Sequence, residues 1–346
     1  RDIDISLCLL EIIMENAQKY LSLYNKLAED RLQCFAEIYP YIRSWDELQQ
    51  LYSVELEPED TVKLLANRDD LPKAIARCLQ DTQPVELFGC YQAFNTQDCQ
   101  MLNDVIFQST RQRLLSSAIT AGGTDHSSFY HNIVAAFACN DFEVMHTFAP
   151  VDLPFCKYPY YNAPALNLMT SLYYQDQAKQ AEALALAEKF LKKKLPILDA
   201  AVINFLVALM QGDSKRASEE LQQASLGFAR SRVNGALDKC FALELHGLYN
   251  FARCVEPELF VQISLPSGAV FSKAFAERQR DNAYAMGKIY YQYPPERELM
   301  NLILMAKLPK VTLVEHKKNS FMQDESAFLN KLIDAITPFG KAMEIQ

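Results

Sequence analysis

Glycine is scarce in this chain, 10 residues in 346. With so few, neither phosphate-cradling signature occurs: there is no G-x-G-x-x-G and no G-x-x-x-x-G-K-[ST]. The nucleophile elbow G-x-S-x-G and the zinc-protease pattern H-E-x-x-H are absent as well. There is one tryptophan, Trp45, and only five histidines. Long apolar runs are missing. The best of them, Ala200–Met210, is about half of the roughly 20 residues that span a bilayer, and Asn204 interrupts it. A membrane partner is therefore not expected.

Paired cysteines are missing too. The nine cysteines are Cys8, Cys34, Cys78, Cys90, Cys99, Cys139, Cys156, Cys240 and Cys254. The number is odd, no two form C-x-x-C, and most sit in apolar surroundings. Thiols scattered in this way pack as small hydrophobes in a reducing compartment. The expectation is a cytoplasmic protein with no disulfide framework, no metal and no cofactor. The chain starts at Arg1 rather than Met, the expectation for a trimmed piece.

What the sequence does contain is helix. Half of its residues are hydrophobic and 22% are charged, an ordinary globular balance. The apolar residues recur with a helical period nearly everywhere. A long helix is expected over Ile5–Ala28. Ser44-Trp-Asp-Glu47 reads as a capping box. Shorter helices are expected from Glu59 to Leu65 behind Pro58, and over Leu71–Leu79, Pro84–Phe94 and Thr96–Ser117. Ala121-Gly-Gly-Thr-Asp and the proline-rich Pro150–Pro164 are breaks.

Three segments repeat one shape: an apolar helix end, a small or polar pair with Asp, then a second helix. They are Ala135–Phe148, Thr170–Ala187 and Leu206–Ala224. Their aspartates, Asp141, Asp176 and Asp213, are spaced 35 and 37 apart, near the period of two-helix repeats of the tetratricopeptide kind. The Asp is placed to accept hydrogen bonds from the free N–H groups of the following helix. Phe241–Cys254 reads as a fourth unit. Beyond it, Leu259–Gly268 reads as an extended connection and Ala269–Tyr290 as a helix. Glu296–Ala306 and Ser326–Ile336 read as closing helices, with one short strand at Val311–Glu315. The fold class is all-α, an irregular array of stacked helical hairpins. It is organised as an acidic region over 1–120, a hairpin array over 121–266 and a helical extension over 267–346, together one elongated domain.

The net charge of −9 is unevenly placed. Residues 1–150 hold 11 Lys and Arg against 22 Asp and Glu, a net −11; the remainder holds 23 against 21, a net +2. The acidic half would repel phosphate, so nucleic acid is not the expected partner. The plain reading of the imbalance is solubility; the functional one is a basic protein partner.

Candidate chemistry is thin. Asp125-His126-Ser-Ser-Phe-Tyr-His131 is the densest polar cluster, and it reads as a helix cap rather than a catalytic pair. Glu244 and His246 are two apart on a helix and face different directions, which argues against a shared metal. Lys192-Lys193-Lys194 closes a helix and complements its dipole. Tyr158, Tyr160 and Tyr161, in the proline-rich loop, either pack the loop down or serve an interface. No enzyme is expected.

Phe129–Asp141, then Leu206–Asp213, then Glu244–Cys254 followed by Ile263-Ser-Leu-Pro266, resemble immunity family 49 of bacterial polymorphic toxin systems. Gly212-Asp213, the apolar helix Leu243–Ala252 and Leu265-Pro266 carry the likeness, which covers roughly residues 129–266. The acidic N-terminal third and the residues after Pro266 depart from the family pattern. The resemblance implies an all-helical protein that binds and neutralises a cognate toxin by occlusion, with no catalytic residues of its own. A basic toxin would meet the acidic half, with Glu55, Glu57, Glu59, Asp60, Asp69 and Asp70 at the interface. The alternative is a helical-repeat scaffold that takes a peptide or protein in a groove.

Overall fold

A computed structural model describes residues 14–34, 41–55, 60–80, 82–120, 122–317 and 320–343. Its first third holds α1 (Ala17–Cys34), α2 (Trp45–Gln50), α3 (Thr61–Ala66), α4 (Leu71–Gln80), α5 (Gln83–Thr96) and α6 (Cys99–Ile119). Ser44 caps α2, its Oγ accepting from the Glu47 N–H at 3.2 Å. Glu47 accepts in return from the N–H of Arg43, at 2.9 Å, one residue earlier than a capping box requires. Asp60 caps α3. The long helix expected over Ile5–Ala28 is not continuous. Asn16 takes a left-handed conformation, φ 63°, and α1 starts directly behind it. The earlier part of that expected helix, residues 5–13, lies outside the described residues.

The middle of the chain forms α7 (Tyr130–Ala138), α8 (Val144–Phe148), α9 (Asn162–Tyr173), α10 (Gln177–Leu191), α11 (Ile197–Met210), α12 (Ser214–Arg230), α13 (Leu243–Val255) and α14 (Pro257–Phe260). The repeated turn has a uniform geometry. Asn140, Gln175 and Gly212 are all left-handed, with φ of 63°, 53° and 68°. The next residue is the aspartate. Its N–H returns to the carbonyl five residues back: Asp141 to Ala136 at 3.1 Å, Asp176 to Ser171 at 3.2 Å, Asp213 to Ala208 at 2.9 Å. This is the bond that closes a helix through a left-handed C′ residue. The carboxylate then caps the following helix, Asp176 from the Lys179 N–H and Asp213 from the Arg216 N–H. A fourth copy stands at Gln97-Asp98, between α5 and α6, where Gln97 has φ 58° and Asp98 accepts from the N–H groups of Gln100 and Met101.

The array departs from a regular repeat at α7. Its partner α8 is a single turn, because Pro150 lies just beyond it. The vacant flank of α7 is covered by α13, which arrives from a hundred residues away. The approach is very close: a Cβ on Gly247 would lie 1.8 Å from the carbonyl oxygen of Val134. The fourth expected unit is therefore not a hairpin of its own. After α13 only the short α14 follows.

The expected helix over Ala269–Tyr290 is a second correction. α15 (Lys273–Asp281) ends early, and Ala283 and Tyr284 are left-handed. The chain then runs extended along α6. Gln108 accepts from the N–H groups of Tyr290 and Tyr291 at 2.9 and 2.8 Å and donates to the Tyr291 carbonyl at 3.1 Å. Asp104 accepts from Lys288 N–H. A row of buried polar side chains on α6 thus holds this segment as a neighbouring strand would. α16 (Glu298–Met305), the antiparallel pair β1 (Leu313–Lys317) and β2 (Ser320–Gln323), and α17 (Glu325–Met343) close the described chain. Among the described residues the fold is all-α apart from that pair.

The core does not respect the three sequence regions. One buried cluster joins Ile42 and Leu48 to Phe137 and Leu206, and these to Leu332 and Ile336. A smaller one joins Tyr20 and Tyr24 of α1 to Phe94, Phe241 and Phe275. Glu15 ties the start of the described chain to α15: its carboxylate accepts from the Lys273 N–H at 3.0 Å and from the Ser272 hydroxyl at 2.7 Å.

Candidate functional site

Where α7, α9, α11 and α13 begin, they leave a cleft of about 860 Å³. Gly227, near the end of α12, shapes one wall. A Cβ there would lie 2.6 Å from the Leu198 nitrogen, so α12 ends tight against the start of α11. The turn after α12, Ser231–Asn234, forms part of the rim, and Arg113 of α6 lines another side.

The floor is built on Glu244, in the first turn of α13, where a carboxylate also offsets the positive end of the helix. One of its oxygens, Oε1, accepts two phenol hydroxyls: Tyr130 at 3.0 Å and Tyr161 at 2.9 Å. Burial, and then the negative charge of Glu244, push both tyrosine hydroxyls well above their ordinary range. Asp199, in the first turn of α11, faces the same cleft. Burial raises its carboxyl above the usual value, and the charge of Glu244 adds to the rise. His131 lines the exposed side, its ring edge-on to Tyr130 at 5.0 Å and to Tyr161 at 5.7 Å. Around the mouth stand Ile197, 48% exposed, Tyr160, 64% exposed, and Val233, 92% exposed. Arg230 and Arg232 are exposed at the rim, while Arg113 pairs with Glu86 at 3.3 Å.

The residues singled out from sequence are dispersed. Tyr160 and Tyr161 line this cleft, but in different ways: Tyr161 is locked into the Glu244 network and Tyr160 stands open. Tyr158 lines a separate cavity of about 250 Å³, with its ring 5.4 Å from that of Tyr160. Asp60, Asp69 and Asp70 are exposed around α3 and the start of α4 and line none of these cavities. Glu57 and Glu59 lie outside the described residues, and of Glu55 only the backbone is described. Glu244, Asp199 and Tyr130 were missed as a group. The available signal was a lone acid in the first turn of two otherwise apolar helices.

Two histidines are structural. Asp125 caps the turn that leads into α7, accepting from the Ser127 N–H at 3.0 Å. Beside it His126 Nε2 and Cys156 Sγ lie 3.2 Å apart, both buried. Burial holds His126 down at about 4 and pushes the Cys156 thiol up, so the pair is neutral and offers no thiolate nucleophile. His246 stacks between Phe241 and Phe271, with centroids 4.5 and 4.1 Å away, and its Nε2 accepts from the Ser272 N–H. A second cleft of about 710 Å³ contains Arg111, whose guanidinium is already committed to the carbonyls of Leu304 and Ala306.

Among the described residues no group of three or more His, Cys, Asp or Glu is placed to hold a metal ion, and no helix is long and apolar enough to cross a membrane. No family model, curated protein or solved structure matches the chain.

Proposed function

We propose that this chain is a protein-binding module of the immunity type, acting by occlusion of a cognate toxin rather than by chemistry of its own. The observation that carries binding is the ring of exposed Ile197, Tyr160 and Val233 around the cleft over Glu244. Exposed apolar side chains grouped around a concave depression mark a surface that takes a partner, and their contacts exclude water from a few anchoring groups. What supports the immunity form is the likeness over residues 129–266, the helical-hairpin build, and the −11 charge of residues 1–150, which would speed encounter with a basic toxin. The protein would act in the cytoplasm, where such a toxin meets its target.

The test is co-purification of the chain from its native host with mass spectrometry of what stays bound. The expected result is one stoichiometric protein that kills cells when expressed without this chain. Several substoichiometric partners, none toxic, would favour the scaffold alternative, in which the same cleft takes short segments from different proteins. Retention of no protein overturns both.

A further inference from the structure

We infer that the floor of the cleft is a receptor for one cationic side chain of the partner, an arginine, seated between Glu244 and Asp199. This rests on the protein-binding reading and names the chemistry of its anchor.

The reason is a missing counter-charge. Glu244 is 9% exposed, and buried carboxylates are ordinarily paired. The two tyrosine hydroxyls that reach Oε1 orient the group but bring no positive charge. Among the described residues no donor reaches Oε2, and neither Glu244 nor Asp199 forms an ion pair. Instead the two carboxyls share the cleft, and the negative charge of Glu244 adds to the rise that burial produces at Asp199. A cation placed between them relieves that repulsion and supplies the absent donors.

The walls select its type. Tyr161 and His131 present rings beside the carboxylates. A guanidinium is planar, weakly hydrated, able to stack on rings and able to give two parallel hydrogen bonds to a carboxylate. An ammonium is a compact, strongly hydrated charge that loses more on entering such a site. Arg230 and Arg232 at the rim have no ion-pair partner among the described residues. They would meet carboxylates that flank the inserted arginine, which sets the orientation of the segment.

The experiment titrates the whole chain by calorimetry with three capped nine-residue peptides, Gly-Ser-Ala-Leu-X-Leu-Ala-Ser-Gly, where X is arginine, citrulline or glutamate. Citrulline keeps the shape of arginine and removes its charge. The arginine peptide is expected to bind saturably, and the citrulline peptide at least about tenfold more weakly, the scale of a lost charge-assisted hydrogen bond. Glu244→Gln keeps an oxygen acceptor for both tyrosines, and Asp199→Asn breaks no hydrogen bond to another residue. Each is expected to weaken the arginine peptide at least about tenfold. Equal binding of arginine and citrulline, preference for glutamate, no binding of any peptide, or unchanged affinity in Asp199→Asn overturns the receptor. If Glu244→Gln does not fold, Asp199→Asn decides alone. A toxic partner that binds Asp199→Asn at full strength removes the receptor and leaves the binding function standing. Arginine-selective binding without any protein partner does the reverse.

Discussion

Tyr161 donates its hydroxyl to Glu244 at 2.9 Å across 83 positions of sequence, and Tyr130 reaches the same oxygen from a third helix. This pair of bonds fixes the relative placement of α7, α9 and α13 at the cleft floor. Tyr161→Phe is expected to lower stability by about 1 kcal/mol, the net value of one hydrogen bond. Tyr130→Phe with Tyr161→Phe should cost more than the two singles together, because the double variant leaves a buried carboxylate with neither donor. Urea denaturation of the four proteins measures this. Strict additivity would mean that the two bonds do not act as a unit.

The α7–α13 crossing depends on Gly247, whose absent side chain is replaced by the Val134 carbonyl. Gly247→Ala must force the helices apart, at a cost of roughly 3 kcal/mol. Ala in place of an exposed helical glycine would normally stabilise. The sign of the change in denaturation midpoint therefore tests the crossing.

The hairpin turns make the opposite prediction. Gln175 is left-handed at φ 53°, a conformation that costs an L residue with a side chain roughly 1 kcal/mol. Gln175→Gly should raise stability by about that amount, less the gain in unfolded-chain freedom. Gly212→Ala, at φ 68°, should lower it by a similar amount. Thermal melts of both variants check the pair.

Two buried groups push the pH dependence in opposite directions. Asp141 is held up at about 6, mainly by burial, with the Arg111 charge opposing the rise. The folded state therefore holds this proton where the unfolded chain releases it, and stability falls as pH rises from about 4 to 6. Asp141→Asn keeps the acceptor oxygen for the capping N–H groups. It should be more stable than the parent by roughly 3 kcal/mol at pH 7.5 and gain almost nothing at pH 4. His246 is held down at about 3 by burial. There the unfolded chain takes the proton first, so stability is full above about pH 6.5 and is lost as pH falls toward 3. Denaturation series from pH 4 to 8 on parent and variant separate the two slopes.

If the partner is basic, Asp69→Lys with Asp70→Lys should slow association severalfold at low salt and flatten its salt dependence, leaving dissociation nearly unchanged. Stopped-flow mixing at two ionic strengths reads this directly. Unchanged rates would remove these residues from the approach path.

Much of the fold was legible because its signals are local. Asp176 and Asp213 cap helices whether or not anything packs on them, and Ser44 caps α2 through a bond three residues long. The copy at Gln97-Asp98 was passed over, because the helix expected over Thr96–Ser117 runs straight through it. The polar face of α6 was not legible either. Asn103, Asp104, Gln108 and Gln112 carry no local sign of their role, yet they are buried and bonded to the segment after α15. The cleft was legible only at Tyr160 and Tyr161. Glu244 entered the sequence reading only beside His246, as two residues that face different directions and do not share a metal, and Asp199 did not enter it.

The sequence by itself determined an all-helical chain, its turn chemistry and its lopsided charge, since helical period, capping and formal charge depend on neighbours a few residues away. Tertiary structure alone decided that α13 lies against α7, that an extended segment lines α6, and that the first turns of four helices meet around Glu244. Those outcomes depend on which surfaces a distant part of the chain fits. A glycine that admits a carbonyl, or an oxygen that awaits two hydroxyls, has its complement more than eighty residues away.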